Sequence, residues 1–515
     1  MIAEELEVGI DQITIKQSDG MAKYGSQFAV GSGTVRTEWK RLREAGAAAR
    51  NMLVQAAATR WGVPVSECYA QRAIVNHRPT GKSLSYAELV EDAAKLEVPK
   101  APALKARKDF KLLGTSVPKP DVPAKSSGKA IYAIDVQVPN MLYASIQHSP
   151  TIFGKIISVD DSQATKIPGV KAVVRTERPM PSGNIEAVAV VATSYWAALK
   201  GRRALAVNWD TSGYDEQMTS QRYTNDLKAA VGKPSATYTK SGDVNAALAA
   251  APLKLEGLYE TPFLAHAPME PEVTVAHVKD DGSCEIWASV QGTDMAKMQA
   301  AGYLKIPAEK VTVHMPFLGG GFGRKGSFDF MLEAINVSRQ VKAPVKVIWT
   351  REDDITQGPY RPAMLSAMRG GIDAAGQVVA FEHTFIGESL SRQVFRAPLG
   401  DKAEDFAGES ISAKESPYAF PNAHIGYINV QTDIPITFWR SVYSSNNVFG
   451  HESFMDELAH ASHKDPLALR LDLLKGQDDE VARRFSIVLE TLAQKAGWDK
   501  PRAAGKGKGI AISRA

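Results

Sequence analysis

The chain has 515 residues, of which 44% are hydrophobic and 23% charged, as is ordinary for a folded globular protein of several domains. Its net charge of +4 is small for this length, so the composition predicts no nucleic-acid partner, and the absence of a long apolar run predicts no direct membrane segment. The two cysteines, Cys68 and Cys284, are too few for a disulfide framework or a thiolate metal site. Any iron–sulfur cluster is therefore expected on another chain.

Both ends of the chain have the appearance of internal segments. The first residues begin in mid-helix without a capping residue, and the last ones form an apolar strand that has no partner. This pattern predicts a piece of a longer protein. Residues 1–20 lack the pattern of a secretory signal, which predicts a cytoplasmic protein as the chain stands, and a periplasmic one if an export signal precedes it.

A short stretch of small residues, Gly31, Ser32, Gly33 and Thr34, precedes an alanine-rich helical segment. Such residues ahead of a helix are typical of an anion cradle, and they are equally typical of an ordinary turn with a helix cap. This stretch lies in a first segment, residues 1–97. Five prolines over residues 98–125 then predict a linker.

The remaining chain has a mixed pattern of strands and helices, which predicts a multidomain α+β (mixed α/β) protein. Short strands with one or two helices predict a compact α/β domain over residues 126–212. A polar, turn-rich connection follows at 213–250, and the largest unit extends from 251 to 515.

A glycine loop within the largest unit is the most informative stretch. Gly319, Gly320 and Gly321, then Gly323, remove nearly every Cβ, so an anionic ligand could lie against bare backbone amides. Phe322 supplies a single large side chain, and Arg324 with Lys325 adds positive charge. The loop also satisfies G-x-G-x-x-G, so a Rossmann-type nucleotide binder remains an alternative, as does a glycine hairpin that binds nothing.

Several polar residues lie where predicted strands turn into loops: Gln291, Arg361 and Arg440, with His266 in an unusual loop of its own. Each is compatible with an ordinary packed or surface position. Together with the glycine loop they offer amide, carboxamide and guanidinium donors, which suit an oxyanionic cofactor that carries phosphates. The motifs H-E-x-x-H, G-x-S-x-G and C-x-x-C are absent from the sequence, so zinc hydrolase, α/β-hydrolase and thiol redox chemistry lack a motif.

Four motifs in this order resemble the large, molybdopterin-binding subunit of the xanthine oxidase family, in the branch of isoquinoline 1-oxidoreductase beta subunits and aldehyde dehydrogenases. They are His266-Ala-Pro-Met-Glu-Pro271, Gly319-Gly-Gly-Phe322-Gly-Arg-Lys325, Thr350-Arg-Glu-Asp-Asp354 with Tyr360-Arg361-Pro362, and Phe438-Trp-Arg440-Ser-Val442. Gly128-Lys-Ala-Ile-Tyr-Ala-Ile-Asp135 and Ile167-Pro-Gly-Val-Lys-Ala-Val173 are similar to that family's α/β hammerhead domain. The resemblance implies molybdopterin-binding domains with this domain inserted between them.

The same resemblance implies roles for individual residues. Gln291 is expected to hydrogen-bond an oxo ligand of molybdenum, and Arg361 to orient substrate. The residues expected to contact the cofactor are Gly31, Ser32, Gly33, Thr34, Gln291, Gly320, Gly321, Phe322, Gly323, Arg324 and Arg440. No protein ligand to the metal is expected, because the pterin supplies the thiolates.

The implied activity is hydroxylation of a small aromatic heterocycle or an aldehyde, with water as the oxygen source. The implied cofactor is molybdopterin with molybdenum, in the cytosine dinucleotide form, and electrons would leave to a small [2Fe-2S] partner subunit. The glutamate that acts as base in this family lies in a Gly-x-Gly-Glu loop that these 515 residues do not contain. A truncated, non-catalytic pterin-binding fragment therefore remains an alternative. Gly326 stands where purine-oxidising members have a glutamate, so xanthine is not the expected substrate.

Overall fold

The computed structural model describes residues 1–213, 219–400, 402–412 and 415–514. Residues 214–218 of the predicted connection, and residues 401, 413, 414 and 515 of the predicted C-terminal unit, lie outside the described ranges. The helices are α1 (Ile2–Leu6), α2 (Thr34–Trp61), α3 (Tyr86–Ala93), α4 (Val122–Ser126), α5 (Tyr195–Arg203), α6 (Ser220–Ala229), α7 (Val244–Ala250), α8 (Thr293–Leu304), α9 (Asp329–Val341), α10 (Arg351–Gln357), α11 (Leu390–Phe395), α12 (Ser444–Ala461), α13 (Pro466–Leu474) and α14 (Glu480–Ala496).

The strands are β1 (Cys68–Gln71), β2 (Ile74–His77), β3 (Ser83–Ser85), β4 (Leu142–His148), β5 (Lys155–Asp160), β6 (Val170–Arg178), β7 (Ile185–Ala192), β8 (Ala206–Asp210), β9 (Ala236–Ser241), β10 (Leu253–Thr261), β11 (Val273–Val278), β12 (Cys284–Ala288), β13 (Val311–His314), β14 (Val345–Ile348), β15 (Met364–Ile372), β16 (Val378–Gly387) and β17 (Asn422–Asn429). This mixture confirms the predicted α+β class.

The chain divides into two compact units. The first contains Met1–Ser18 and Phe28–Ala130, and the second contains Asp19–Gln27 and Ile131–Ala515. In the first unit the long helix α2 packs with α3 on the three-stranded sheet β1-β2-β3, around a core of leucine, valine and alanine side chains. Helix α3 begins at a capping box, in which Ser85 accepts from the Glu88 amide and Glu88 accepts from the Ser85 amide.

Two large sheets form the second unit. One has seven strands in the order β13-β12-β11-β14-β4-β7-β6, and the other has five in the order β10-β15-β16-β17-β9. Strand β4 pairs in parallel with β14, with Leu142 opposite Val345, so the predicted α/β domain and the predicted C-terminal unit share one continuous sheet. Helix α12 lies against β10 and β15, and its apolar face joins α13 and α14 in a core that includes Phe454 and Leu458.

The proline-rich segment over residues 98–125 is anchored to the first unit through two buried glutamates of α1. The Glu4 carboxylate accepts from the ammonium of Lys105 and from the backbone amides of Lys111, Leu112 and Leu113. Glu5 accepts from the Lys105 backbone amide at 3.1 Å and from the Arg43 guanidinium, with 2.8 Å between Nε and Oε1. The prolines gave the signal for a linker, but these hydrogen bonds fix the middle of the segment, because buried carboxylates require donors.

Replacing Glu4 by glutamine is expected to destabilise the first unit in a pH-dependent way. Burial by itself raises the pKa of Glu4, but the hydrogen bonds from Lys105 and from the three amides outweigh it and lower the pKa from 4.5 to about 2. Because the pKa of Glu4 is lower in the folded state than in the unfolded state, the carboxylate stabilises the fold at pH values above 4.5. This stabilisation is lost as the pH falls from 4.5 through 2. Glu4→Gln should lower the free energy of unfolding by about 2 kcal/mol at pH 7 and by little at pH 2.

Chemical denaturation across this pH range measures the effect. The matched control is Glu97→Gln, because Glu97 is exposed in the same unit. An equal loss of stability at pH 2 and pH 7 would contradict the assigned role of Glu4.

Candidate functional site

The glycine loop connects β13 to α9, and hydrogen bonds to neighbouring segments fix its position. The Phe317 amide donates to the Ile131 carbonyl at 3.0 Å, and the Ser289 hydroxyl donates to the Phe317 carbonyl at 2.9 Å. Farther along, two hydrogen bonds join Glu270 and Gly319. The Glu270 amide donates to the Gly319 carbonyl at 3.0 Å, and the Gly319 amide donates to the Glu270 carboxylate at 3.2 Å. The loop is therefore held in one conformation rather than being an open hairpin.

Glycine is required at two positions of this loop by its backbone conformation and its close contacts. Gly323 has φ of 102°, and a Cβ built there would lie 1.9 Å from the Phe438 carbonyl oxygen. Gly320 has φ of 98° and is flanked by the Phe322 ring and Pro268. Between them Phe322 itself adopts φ of 55° and is 43% exposed. A strained aromatic residue that remains exposed on a fixed loop is the arrangement expected of a ligand contact.

Gln291 lies directly beside this loop. Its side-chain oxygen accepts from the Gly323 amide at 2.9 Å, and its own backbone amide donates to the Lys325 carbonyl at 3.0 Å. A Cβ on Gly321 would lie 2.9 Å from the same Gln291 oxygen. The structure therefore brings Gln291 together with Gly320, Gly321, Phe322 and Gly323.

The charges of Arg324 and Lys325 lie beneath the loop and not on its surface. Both residues are 1% exposed. The Arg324 guanidinium binds Asp329 in a bidentate manner at 2.6 and 2.9 Å, and the Lys325 ammonium binds Glu270 at 2.7 Å. Buried carboxylates already neutralise both residues, so the prediction that they add positive charge for an anion is wrong, whereas the assignment of Arg324 to the cofactor stays a prediction.

Arg361 and Arg440 lie in the two segments that adjoin the loop. The Arg361 guanidinium is stacked 5.6 Å from the Trp439 ring centroid and donates to the Pro262 carbonyl at 3.0 Å. Within the described ranges it has no carboxylate partner, and burial lowers its pKa. Arg440 follows Trp439 and is exposed. The segment Phe438–Trp439 packs against Gly323, which places both arginines in segments next to the loop.

His266 fixes the position of that adjoining segment. Its Nε2 lies 2.8 Å from the Phe438 carbonyl oxygen, which can only accept, so Nε2 carries the hydrogen. Burial lowers the pKa of His266 to about 4, against the opposing effect of this hydrogen bond, so the ring is neutral at pH 7. The packed-loop interpretation of His266 is thus the one that its surroundings fit, and its contribution is to hold Phe438 over Gly323.

Gly31, Ser32, Gly33 and Thr34 belong to the first unit, where they form the start of α2. Gly31 and Ser32 both have positive φ, at 57° and 49°, and no side chain caps the helix. Ser32 and Thr34 lie at this end of the helix, and Ser32 is exposed. This geometry leaves the first amides of a 28-residue helix without a side-chain cap, which is compatible with an anion cradle. Their role stays a prediction.

The sheet order excludes the Rossmann alternative for the glycine loop. In a dinucleotide-binding unit, the strand before the glycines lies beside the strand that follows the helix. Here β12 and β11 separate β13 from β14, and β13 pairs only with β12 among the described strands. The motif G-x-G-x-x-G alone could not reveal this, because it carries no information on strand neighbours.

Sequence reasoning missed two groups of residues near the loop. Gly20 and Gln27, from the short segment that joins the second unit, meet the start of α8, where the Gln27 amide donates to Asp294 at 3.2 Å. Glu272 and Asp354 form a buried carboxyl pair next to Arg324, with 3.6 Å between Arg324 Nε and Glu272 Oε1. The acidic run at residues 352–354 is a sequence signal that could have found Asp354.

A proton shared between Glu272 and Asp354 best explains how their two carboxyl groups can be buried side by side. Both Glu272 oxygens and one Asp354 oxygen lack a donor within the described ranges, and the two side chains interact with each other. Burial raises the pKa of Glu272 to about 7, with Asp354 acting in the same direction and Arg324 against it. A proton on Glu272 satisfies both carboxyl groups at once.

Gly323→Ala is expected to displace the Phe438–Trp439 segment. The new Cβ would clash with the Phe438 carbonyl, and φ of 102° is unfavourable for alanine. We expect a loss of about 3 kcal/mol in the free energy of unfolding. Gly302→Ala in α8 is the matched control, because nothing lies within 4 Å of its Cβ position. Equal thermal unfolding temperatures for the two variants would show that this contact is unimportant.

Glu272→Gln is expected to flatten the dependence of stability on pH. The pKa of Glu272 is raised in the folded state from 4.5 to about 7. The stabilisation that protonated Glu272 contributes is therefore fully present below pH 4.5 and is lost as the pH rises through 7. The free energy of unfolding falls by about 3 kcal/mol in total over this range. Glutamine resembles the protonated form, so the variant should lack this decline between pH 5 and about 8. Parallel curves for both proteins would refute the shared proton.

Residues 228–473 match the model of the molybdopterin cofactor-binding domain, and residues 127–209 match the a/b hammerhead domain of aldehyde oxidase and xanthine dehydrogenase. The chain is 32% identical to a membrane-bound aldehyde dehydrogenase of Gluconacetobacter polyoxogenes, whose name specifies pyrroloquinoline quinone, over 97% of this chain and 67% of the relative. It is 29% identical to the beta subunit of isoquinoline 1-oxidoreductase from Brevundimonas diminuta, over 100% of this chain and 70% of the relative. A nicotinate dehydrogenase subunit of Pseudomonas putida is 28% identical over 100% of this chain, which spans 44% of that relative.

Solved structures share the fold. Quinoline 2-oxidoreductase of Pseudomonas putida 86 superposes with a TM-score of 0.60 at 18% identity, over 76% of this chain and 55% of that chain. Aldehyde oxidoreductase of Desulfovibrio gigas superposes with the same TM-score of 0.60 at 19% identity, over 77% of this chain and 48% of that chain. No helix within the described ranges is long and apolar enough to cross a membrane. The chain belongs to the xanthine oxidase family, as a molybdopterin-binding subunit of its molybdopterin-dependent oxidoreductases.

Proposed function

We propose that this chain holds a molybdenum–molybdopterin cofactor over its glycine loop. We further propose that it forms the large subunit of a hydroxylase that oxidises an N-heterocycle or an aldehyde. The observation that carries the proposal is the hydrogen bond of 2.9 Å from the Gly323 amide to the Gln291 side-chain oxygen. It joins two residues that the family resemblance assigns to the cofactor.

This hydrogen bond also sets the orientation of the Gln291 carboxamide. Because the Gly323 amide can only donate, the Gln291 oxygen is the atom that faces it, and the amide nitrogen is the donor end of the side chain. A carboxamide donor suits an oxo group. The exposed Phe322 ring, next to Gly323 in the chain, is left available to pack against the cofactor.

Two buried donors beside the loop fit an acceptor-rich cofactor. Arg361 Nε and Trp439 Nε1 are buried and have no hydrogen-bond partner within the described ranges. Buried donors without acceptors are costly, and a group with several oxygens and ring nitrogens would satisfy them. We assign Arg361 to the orientation of substrate, and Arg440, which is exposed in the same segment as Trp439, to the pterin side.

The far end of the cofactor is assigned to the start of α2. Gly31, Ser32, Gly33 and Thr34 offer uncapped amides and two hydroxyl groups, which suit phosphates. A dinucleotide form of the cofactor would use such a site, and we propose the cytosine dinucleotide form. The bound cofactor supplies a metal that takes up two electrons in each turnover, with water as the source of the oxygen atom.

Electrons are proposed to leave to a small [2Fe-2S] subunit. The relatives named as subunits support a multi-chain enzyme, among them those of isoquinoline 1-oxidoreductase and nicotinate dehydrogenase. In this chain, Cys68 and Cys284 are both buried, and no group of three or more His, Cys, Asp or Glu in the described ranges is placed to hold a metal ion.

Cofactor analysis tests the central part of the proposal. Protein purified from its native source should contain about one molybdenum atom per chain and release a fluorescent pterin with cytidine monophosphate on acid treatment. Recovery of pyrroloquinoline quinone instead, or of neither molybdenum nor pterin, would contradict it. The cofactor analysis includes pyrroloquinoline quinone because the name of one relative specifies that cofactor.

Gln291→Ala is expected to separate cofactor binding from turnover. The cofactor has many other contacts, so molybdenum content should stay close to that of the unmodified protein. Loss of a preorganised donor next to the reacting group should lower kcat by roughly 100-fold. Gln299→Ala, an exposed residue of α8, is the matched control. Unchanged turnover in Gln291→Ala would remove this residue from the site.

A further inference from the structure

Strand β10 forms an open edge of the five-stranded sheet. Its nine residues, Leu253–Thr261, pair with β15 alone among the described strands, and none of the nine is buried. In an antiparallel pair about half of the backbone amides and carbonyls point away from the partner strand. Those of β10 make no backbone hydrogen bond to another described segment. This outer row of donors and acceptors is a template for one further strand.

Charged side chains make this edge selective. Leu255 and Tyr259 pack on the core beneath α12, so the alternate residues Lys254, Glu256 and Glu260 lie on the opposite face of the sheet, where all three are exposed. Exposed charges on an edge strand disfavour pairing with an arbitrary strand. They still permit pairing with a strand whose charges follow the complementary order.

A second copy of β10 has that order in one register. A two-fold axis through Gly257, perpendicular to the sheet, places all nine residues of the strand opposite the nine residues of the copy. Lys254 then lies opposite Glu260 of the second copy, and the symmetry forms this pair twice. A shift of two residues in either direction would instead place Glu256 opposite Glu256 or opposite Glu260. Repulsion between glutamates therefore disfavours both of those registers.

Apolar side chains on the face toward α12 fit the same register. Leu255 would lie opposite Tyr259 of the second copy, and these are the two residues of the strand that pack on the core beneath α12. Beside them, Phe449 of α12 is 51% exposed, and its ring centroid lies 5.9 Å from that of Tyr259. The second copy would add apolar contacts next to this exposed ring, and such contacts favour association.

We propose that two copies of this chain associate through antiparallel pairing of β10 about a two-fold axis at Gly257. The two five-stranded sheets then form one continuous sheet across the dimer. The inference goes beyond the proposed function and does not depend on it, because no residue assigned to the cofactor or to substrate belongs to β10. We expect a Kd on the order of 10 μM, as for a small interface.

Reversing one charge of the cross-strand pair tests the register. Lys254→Glu places like charges opposite each other at both ends of the paired strands, and Glu260→Lys does the same with the other sign. Each variant should raise the Kd of the dimer by about 30-fold, as measured by sedimentation velocity. In a mixture of the two variants every introduced charge faces its opposite, so one labelled variant should bind the other with the Kd of the unmodified protein.

The fold should tolerate both changes. The Lys254 ammonium donates to the Ala249 carbonyl at 3.1 Å, and Glu260 pairs with Lys228 at 2.5 Å between side chains that are 43% and 46% exposed. Exposed contacts of this kind add little to stability, so thermal unfolding should stay close to that of the unmodified protein. Lys495→Glu, which makes the same change of charge at an exposed position of α14, is the matched control and should leave the Kd unchanged.

Hydrogen exchange locates the interface without a substitution. Amides of β10 should exchange more slowly in concentrated than in dilute protein, whereas those of β9, at the opposite edge of the sheet, should not change with concentration.

A protein that stays monomeric at about 100 μM would overturn the inference, as would a dimer that both charge reversals leave intact. Failure of the mixed variants to associate would overturn the two-fold register. Slow exchange of the β10 amides at every concentration in a monomer would also overturn it, because another segment or chain would then cover this edge.

Discussion

The conformation of the glycine loop depends on one buried carboxylate, that of Glu270. Its oxygens accept from the Lys325 ammonium at 2.7 Å, from the Gly319 amide at 3.2 Å and from the Ile134 amide at 3.2 Å. It thereby joins the start of the loop, the end of the loop and the segment ahead of β4. Losing one member of such a buried set leaves an uncompensated charge and costs roughly 3 to 5 kcal/mol. The loop can therefore keep glycines with positive φ and the strained, exposed Phe322.

The cations of the second unit fall into two groups with different partners. Beneath the loop, Arg324 and Lys325 are paired with buried carboxylates, which makes them part of the fold. At the loop itself, Arg361 has only a carbonyl acceptor and an aromatic ring as partners among the described residues. Burial with pairing indicates a structural role, whereas a cation without a counter-charge is available to a ligand.

Much of this arrangement could be predicted from the sequence, because it is local or carried by motifs. The mixed fold class is confirmed, and Gln291 and Gly323, which the motifs single out, are hydrogen-bonded to each other. The burial of Arg324 could not be predicted, because its partner is decided by the path of the loop and not by the neighbouring glycines. The anchoring of residues 98–125 depends on Glu4 and Glu5, about 100 residues earlier, and no local pattern reports such a contact.

The shared seven-stranded sheet has a consequence for how the protein is made. Strand β4 lies between β7 and β14, and its partner in β14 is synthesised about 200 residues later, at translation rates of about 5 to 20 residues per second. One edge of β4 thus remains unpaired for about 10 to 40 seconds on the ribosome. During that interval, apolar residues of the nascent α/β segment are open to wrong pairing. We therefore expect this segment to require protection by chaperones during synthesis.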